Sequence, residues 1–218
     1  GKPLDAGFET ELARIAGEYG WSRLTWNGEQ VALIAPPGQR FGAVAVMPPP
    51  GAFLQATQAG EDALSASVEV AVGDARRILD LFAGCGTFSL PLAARAEVHA
   101  VESDEAMIAA LDKGWRLAKG LKSVTTEVRD LYRQPLLPDE LDRFDAVVID
   151  PPRAGAEAQI AEIARSGVGL VAAVSCNPVT FARDAKVLME AGFRLDQLRV
   201  VDQFRWSTHV ELVARFVR

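Results

Sequence analysis

An α/β fold with a doubly wound, mostly parallel sheet, a closing antiparallel strand and a small N-terminal α+β segment is the architecture that this 218-residue sequence implies. Three observations carry that expectation. From residue 53 onward, short apolar runs of β type alternate with stretches of helical periodicity, the pattern of successive βαβ units. Two final β runs follow one another with no helix between them, so they are expected to pair antiparallel and make the sheet mixed. Before residue 53 the pattern differs, with one helix and several short strands broken by proline and glycine. The chain is therefore divided into 1–52, a partial N-terminal α+β segment, and 53–218, the main domain.

The elements follow in order. Phe8, Leu12, Ile15, Ala16 and Tyr19 recur at helical spacing. Runs of β type come next at 23–26, 31–35 and 41–47. Asn27-Gly28 between the first two is a hairpin signal, because a tight type I′ turn needs positive φ at both central residues. Pro36-Pro37-Gly38 and Pro48-Pro49-Pro50-Gly51 punctuate the rest of the segment. The main domain then reads as helix 58–72, strand 77–81, helix 88–95, strand 98–102, helix 105–118, strand 124–129, strand 144–150, helix 156–165, strand 170–175 and helix 179–191. Gly192 stops that last helix. The closing strands are 195–202 and 210–217.

Composition narrows the functional classes. The chain is 49% hydrophobic and 24% charged, an ordinary globular mixture. No apolar run approaches the ~20 residues of a bilayer span, and the N-terminus lacks a basic-then-apolar signal pattern, so a soluble cytoplasmic protein is expected. Two cysteines, Cys85 and Cys176, cannot supply an all-cysteine zinc site or an iron–sulfur cluster, and no metal is expected. A net charge of -6 suits a small-molecule enzyme, or a nucleic-acid enzyme whose affinity resides partly in another domain.

Leu79-Asp80-Leu81-Phe82-Ala83-Gly84-Cys85-Gly86-Thr87-Phe88 reads as strand, glycine turn and helix start. Gly84 and Gly86 let the backbone approach a ligand, and the following helix offers free N–H groups. Glu102 ends the next strand, where a carboxylate can accept from both ribose hydroxyls. A dinucleotide and S-adenosylmethionine compete for such a site. Ser89 stands where a dinucleotide fingerprint has its third glycine, which disfavours a pyrophosphate. The run from Asp80 to Gly86 resembles motif I of class I methyltransferases, and Val101-Glu102 resembles their second motif. Asp130, at the end of the third strand, stands where such enzymes often hold the adenine amino group. Cys85 is read as filling space in the turn.

Ser175-Cys176-Asn177-Pro178 closes a strand and opens a helix, with Asn177 as N-cap and Pro178 in the first turn. A thiol there is expected to feel the positive helix end and to have a lowered pKa. A methyltransferase acting on carbon 5 of a pyrimidine needs such a group, because that carbon is a weak nucleophile until a thiolate adds at carbon 6. A base must then remove the carbon-5 proton. His209 and Glu211, expected on one face of the last strand, are the candidates.

Taken together, Ser175-Cys176-Asn177-Pro178-x-Thr180-x-Ala182-Arg183-Asp184, Asp150-Pro151-Pro152-Arg153-Ala154-Gly155 and Thr208-His209-Val210-Glu211 resemble the RNA uracil-5-methyltransferase family, in the family's order. Phe53-Leu54-Gln55-Ala56 resembles that family's entry into the catalytic domain. The resemblance implies a class I methyltransferase (Rossmann-like) fold, S-adenosylmethionine as cofactor, and an RNA substrate, rRNA ahead of tRNA. It implies Cys176 as nucleophile, Glu211 as base, and Gln55, Phe82, Thr87, Glu102 and Asp150 around the cofactor and uracil pocket. The Thr87 position is often asparagine in the family. Many members carry an oligonucleotide-binding-fold domain, and some a four-cysteine iron–sulfur cluster. Neither fits in residues 1–52, so an RNA-recruiting domain is expected to be absent from this chain. Three alternatives remain at this stage. Amino-group methylation uses an Asp/Asn-Pro-Pro-aromatic motif, but Arg153 replaces the aromatic. Cytosine-5 methylation lacks its Pro-Cys or Thr-Cys signature here. A catalytically idle cofactor- or RNA-binding module is the third.

Overall fold

The computed structural model describes residues 3–204 and 206–218. Helix α1 (Ala6–Glu18) starts at Asp5, whose carboxylate accepts the Phe8 N–H. Strands β1 (Arg23–Trp26) and β2 (Glu29–Leu33) form the expected hairpin, with Asn27 and Gly28 at φ 50° and 87°. The run 41–47, expected as one strand, is instead split by a turn between the arms of a second hairpin, β3 (Gln39–Phe41) and β4 (Val44–Val46). The chain reverses at Gly42, φ 57°, a conformation that glycine adopts without strain. Phe41, Val44 and Val46 are buried in the same apolar cluster as the main domain, so this hairpin is part of its core.

The main domain consists of α2 (Gln58–Val72), β5 (Arg77–Leu81), α3 (Ser89–Leu92), β6 (Glu97–Glu102), α4 (Glu105–Leu117), β7 (Val124–Val128), α5 (Pro138–Leu141), β8 (Ala146–Ile149), α6 (Glu157–Arg165), β9 (Leu170–Ser175), α7 (Pro178–Glu190), β10 (Arg194–Val201) and β11 (Glu211–Val217). Two of these differ from the sequence reading. Helix 88–95 shrinks to the single turn α3, since the chain closes through short bonds from Ala94 N–H to Pro91 O and Arg95 N–H to Leu92 O on its way into β6. The one-turn helix α5 carries too few residues to show a period.

The sheet has seven strands in the order β10-β11-β9-β8-β5-β6-β7. Strands β9, β8, β5, β6 and β7 are mutually parallel, and β11 runs antiparallel between β9 and β10. Strand alternation divides the core between the two faces. Ile78, Val148 and Ala172 join Leu64 and Val68 of α2 on one side. Leu79, Val147 and Val171 join Ile160 and Ile163 of α6 and Leu188 of α7 on the other. Strand order reverses between β5 and β8, and such a reversal opens a crevice at the carboxyl ends of the strands. Among the described residues no helix is long and apolar enough to cross a membrane.

Candidate active site

One wall of that crevice is the turn leaving β5. Phe82, Gly84 and Gly86 all have positive φ, at 62°, 56° and 96°. A non-glycine residue in this region stores roughly 1–3 kcal/mol of strain and persists where its surroundings over-determine it. Phe82 is held with its ring centroid 5.5 Å from that of Tyr132. Gly86 faces inward: a Cβ there would lie 2.9 Å from Cγ of both Leu111 and Leu90. Its part is to seat the turn on α4, while Gly84 borders the cavity. Gly84 N–H donates to Glu102 Oε2 at 3.1 Å, and Ser103 N–H, Ser103 Oγ–H and Asp104 N–H donate to Oε1 at 2.7, 3.0 and 3.1 Å. Glu102 is thus oriented before any ligand arrives. Ser89, in the place of a third glycine, donates to Asp80 Oδ2 at 2.5 Å. Burial, opposed by that serine and assisted by Glu102, pushes the Asp80 carboxyl up to about 7.

The opposite wall is made where β8, β9 and β11 end. Asn177 caps α7 by accepting from Val179 N–H. Its Nδ2 donates to Arg153 O at 2.9 Å, and the Thr180 hydroxyl donates to the same carbonyl at 3.2 Å. Asp184 accepts Ala156 N–H at 3.0 Å. The conspicuous run from Asn177 to Asp184 therefore tethers the Asp150–Gly155 loop beside Cys176. Strand register then brings the distant ends together. The β9–β11 ladder ends at the pair Ser175–Leu212, so Cys176 and Glu211, the next residues outward on the two chains, meet at the cavity they both border. Glu211 is only 3% exposed.

The electrostatics of this end correct one expectation. The Cys176 thiol is not lowered by the helix end. Burial, then the charges of Glu211 and Asp150, raise it, with Arg153 pulling the other way. Burial also raises Glu211, against hydrogen bonding from Gln203 and the charge of Arg153. Asp150 is pushed up to about 8 by burial, then by Glu211 and Asp80. A second correction concerns His209. β11 begins at Glu211, so His209 lies before the strand, exposed, with Nδ1 3.1 Å from Arg153 Nη1. The preceding stretch 204–208 includes Arg205, which lies outside the described residues.

Both walls line a single cavity of about 390 Å³. Of the sequence candidates, Gln55, Phe82, Gly84, Thr87, Glu102, Asp150, Cys176 and Glu211 border it. Cys85 does so as well, buried, with its thiol pushed up to about 11 by burial and then by Asp104 and Glu102. Asp130 is not brought into the wall. Its carboxylate closes a turn by accepting from the N–H groups of Tyr132 and Arg133 at 3.0 and 3.3 Å. The sequence reading missed Tyr132 and Met107, which border the cavity. An aromatic four residues past the end of β7 and a helix methionine carry no local signal of that placement.

Known proteins supply the frame. The family model described as tRNA (uracil-5-)-methyltransferase matches residues 49–216, spanning both walls of the cavity. The chain belongs to the RNA uracil-5-methyltransferase family. Members similar to it include an uncharacterized RNA methyltransferase of Rhizobium meliloti, 54% identical over 92% of this chain and 48% of the relative. The 23S rRNA (uracil(1939)-C(5))-methyltransferase RlmD of Psychrobacter arcticus is 42% identical over 64% of this chain and 28% of its own length. Among solved structures, the tRNA (uracil-54, C5)-methyltransferase of Pyrococcus abyssi, in complex with S-adenosyl-L-homocysteine, superposes with TM-score 0.71 at 32% identity, over 83% of this chain and 44% of that one. The fold is thus that of the class I methyltransferases. The chain spans about half the length of the curated relatives that match it over 92% of its own length.

Proposed function

We propose that this chain is the catalytic portion of an S-adenosylmethionine-dependent enzyme that methylates carbon 5 of a uridine in RNA, ribosomal RNA ahead of transfer RNA, through a covalent Cys176–uracil adduct. The observation that carries the reading is a thiol and a buried carboxylate, Cys176 and Glu211, brought together just beyond the last pair of the β9–β11 ladder, in the cavity that Glu102 also borders. The preference for ribosomal RNA rests on the higher identity to the Psychrobacter rRNA enzyme, 42%, than to the Pyrococcus tRNA enzyme, 32%.

The residues at the glycine turn fit S-adenosylmethionine better than a dinucleotide. Glu102 presents an oriented carboxylate for ribose hydroxyls, and Phe82 with Tyr132 offers an aromatic border for a purine. Among the described residues, the cations bordering the cavity are Arg129 and Arg153. Arg129 is committed to Glu140 at 2.8 Å and Glu127 at 3.2 Å, and Arg153 lies at the Cys176 end, so among the described residues the turn offers no cation to a pyrophosphate. When bound, S-adenosylmethionine supplies an electrophilic methyl on a positively charged sulfur, which carbon 5 of the activated uracil takes up.

The chain's own residues perform the rest. In the resting site burial first, then the Glu211 charge, keeps the Cys176 thiol protonated, so it passes its proton to water at the cavity mouth as uracil binds. Sulfur then bonds carbon 6, and the electron pair of the 5,6 double bond moves toward the carbon-4 oxygen. Asp150, held as the neutral acid at pH 7, can donate a hydrogen bond to that oxygen as charge develops. After methylation Glu211 removes the carbon-5 proton. The electron pair of that C–H bond rebuilds the double bond, and the thiolate departs. His209 is a poorer base, being exposed and engaged with Arg153.

The test is incubation of this chain with labelled cofactor and a large-subunit rRNA transcript, followed by nucleoside analysis and denaturing electrophoresis. Wild type yields 5-methyluridine. Cys176→Ala yields none and binds cofactor normally. Glu211→Gln accumulates a denaturation-resistant, methylated protein–RNA band that Cys176→Ala/Glu211→Gln lacks. Trapping by His209→Ala with normal turnover by Glu211→Gln overturns the choice of base, and methylation of an adenine or cytosine overturns the substrate.

A further inference from the structure

Gln203 lies outside every motif singled out in the sequence, two residues past β10, yet the fold returns it to the floor of the site. It is 9% exposed. Its Nε2 donates to Gln55 Oε1 at 2.8 Å, joining positions 148 residues apart. Val201, two residues before it, pairs with Glu211 across the β10–β11 ladder, and the Gln203 amide opposes the burial that raises the Glu211 carboxyl. Its Oε1 is buried without a hydrogen-bond partner and packs against Gly60, in the first turn of α2. A Cβ on residue 60 would overlap that oxygen and come within 2.9 Å of the Gln203 Cβ and Cδ. The amide orientation follows from these neighbours. The positive N-terminal end of α2 favours the carbonyl oxygen, and only the NH2 group can donate to a carboxylate. Reversal would set a lone pair against Glu211.

We infer that Gln203 is a positioning residue for the proton-abstracting step: seated on Gly60, it aims the Glu211 carboxylate across the cavity at Cys176 and links it to Gln55. The inference rests on the reading of Glu211 as the base. Burial favours a protonated, inert Glu211, and the groups that oppose burial are Gln203 and Arg153. Asp150 and Cys176 are the other titratable groups facing it. His209 stands behind Arg153, and on α2 Glu61 turns away to Gln39 and Gln58. Gln203 is the uncharged donor of the set, so its support does not vary with pH.

Two variants remove that support by different routes. Gln203→Met deletes the donor, and Gly60→Ala displaces the glutamine without altering a polar atom. Each is assayed with an rRNA transcript containing uridine and with the same transcript containing 5-fluorouridine. Fluorine cannot be removed as a proton is, so the fluorinated RNA stops at the methylated adduct and reports only the steps before Glu211 acts. With fluorinated RNA both variants form adduct at the wild-type rate. With ordinary RNA, adduct accumulates and the acid limb of the pH–rate profile moves up by about one unit, so turnover on that limb falls about 10-fold, the shift expected when a charged carboxylate loses a polar partner. A wild-type profile in Gln203→Met, while Glu211→Gln still traps adduct, overturns the inference alone. Equal loss with both RNAs also overturns it, since the residue then serves general packing. No trapping in Glu211→Gln, or no adduct between wild type and fluorinated RNA, overturns the underlying reading and this inference with it.

Discussion

Replacing Asp150 by asparagine measures how the site is charged before any substrate binds. The Asp150 carboxyl is raised from 3.8 to about 8 by burial, Glu211 and Asp80. A carboxyl raised in the folded state keeps its proton there while the unfolded chain loses it. Its contribution to stability is therefore complete below 3.8 and is lost as pH rises toward about 8. One retained proton sets a slope of at most about 1.4 kcal/mol per pH unit, or about 4 kcal/mol between about pH 5 and about pH 8. Water entering the cavity and local relaxation reduce this to roughly 2 kcal/mol. For a domain of this size that corresponds to about 4–8 °C in Tm. Asparagine keeps the shape of the neutral acid and does not titrate. Thermal melts of wild type and Asp150→Asn across that range, at constant ionic strength, should show the wild-type Tm falling relative to the variant by that amount. Asp80, Glu211 and Cys176 titrate in both proteins, so only their coupling to Asp150 enters the difference. Parallel Tm curves would refute the neutral-acid assignment, and a wild type that gains on the variant would show a carboxylate ionised in the folded state.

Three further outcomes are expected. Glu102→Ala should weaken S-adenosylmethionine binding about 10- to 100-fold by calorimetry, the loss of a charged hydrogen bond of roughly 1.5–3 kcal/mol; unchanged affinity would move the ribose elsewhere. Gly86→Ala should lower stability by roughly 2–3 kcal/mol in urea unfolding, since φ is 96° and the new Cβ meets Leu111 and Leu90 at 2.9 Å; a variant as stable as wild type would mean the turn relaxes freely. At a net charge of -6, this chain should bind RNA weakly with a shallow salt slope in fluorescence anisotropy; tight binding that collapses with added salt would point to a concentrated basic surface.

Local features determined much of this protein in its sequence. The alternation of apolar period gave the order of strands and helices, because burying one face imposes its period on the residues that do it. The glycine turn, the Asn177 cap and the Asn27-Gly28 hairpin were legible because each depends on a few adjacent backbone angles. Cys176 and Glu211 were nameable from their motifs. Tertiary structure decided what those residues are to one another. Insertion of β11 between β9 and β10 brings Glu211 to the same cavity as Cys176, and no period within β11 specifies its neighbours. The same enclosure raises the thiol that a helix end alone was expected to lower, because burial and two carboxyls outweigh a partial charge. Starting β11 at Glu211 leaves His209 off the strand, and the Asp130 turn leaves that carboxylate outside the wall. Gln203 had no sequence signature at all, since its partners are Gln55, Gly60 and Glu211, two of them more than a hundred residues away and joined to it only by the folding of the sheet.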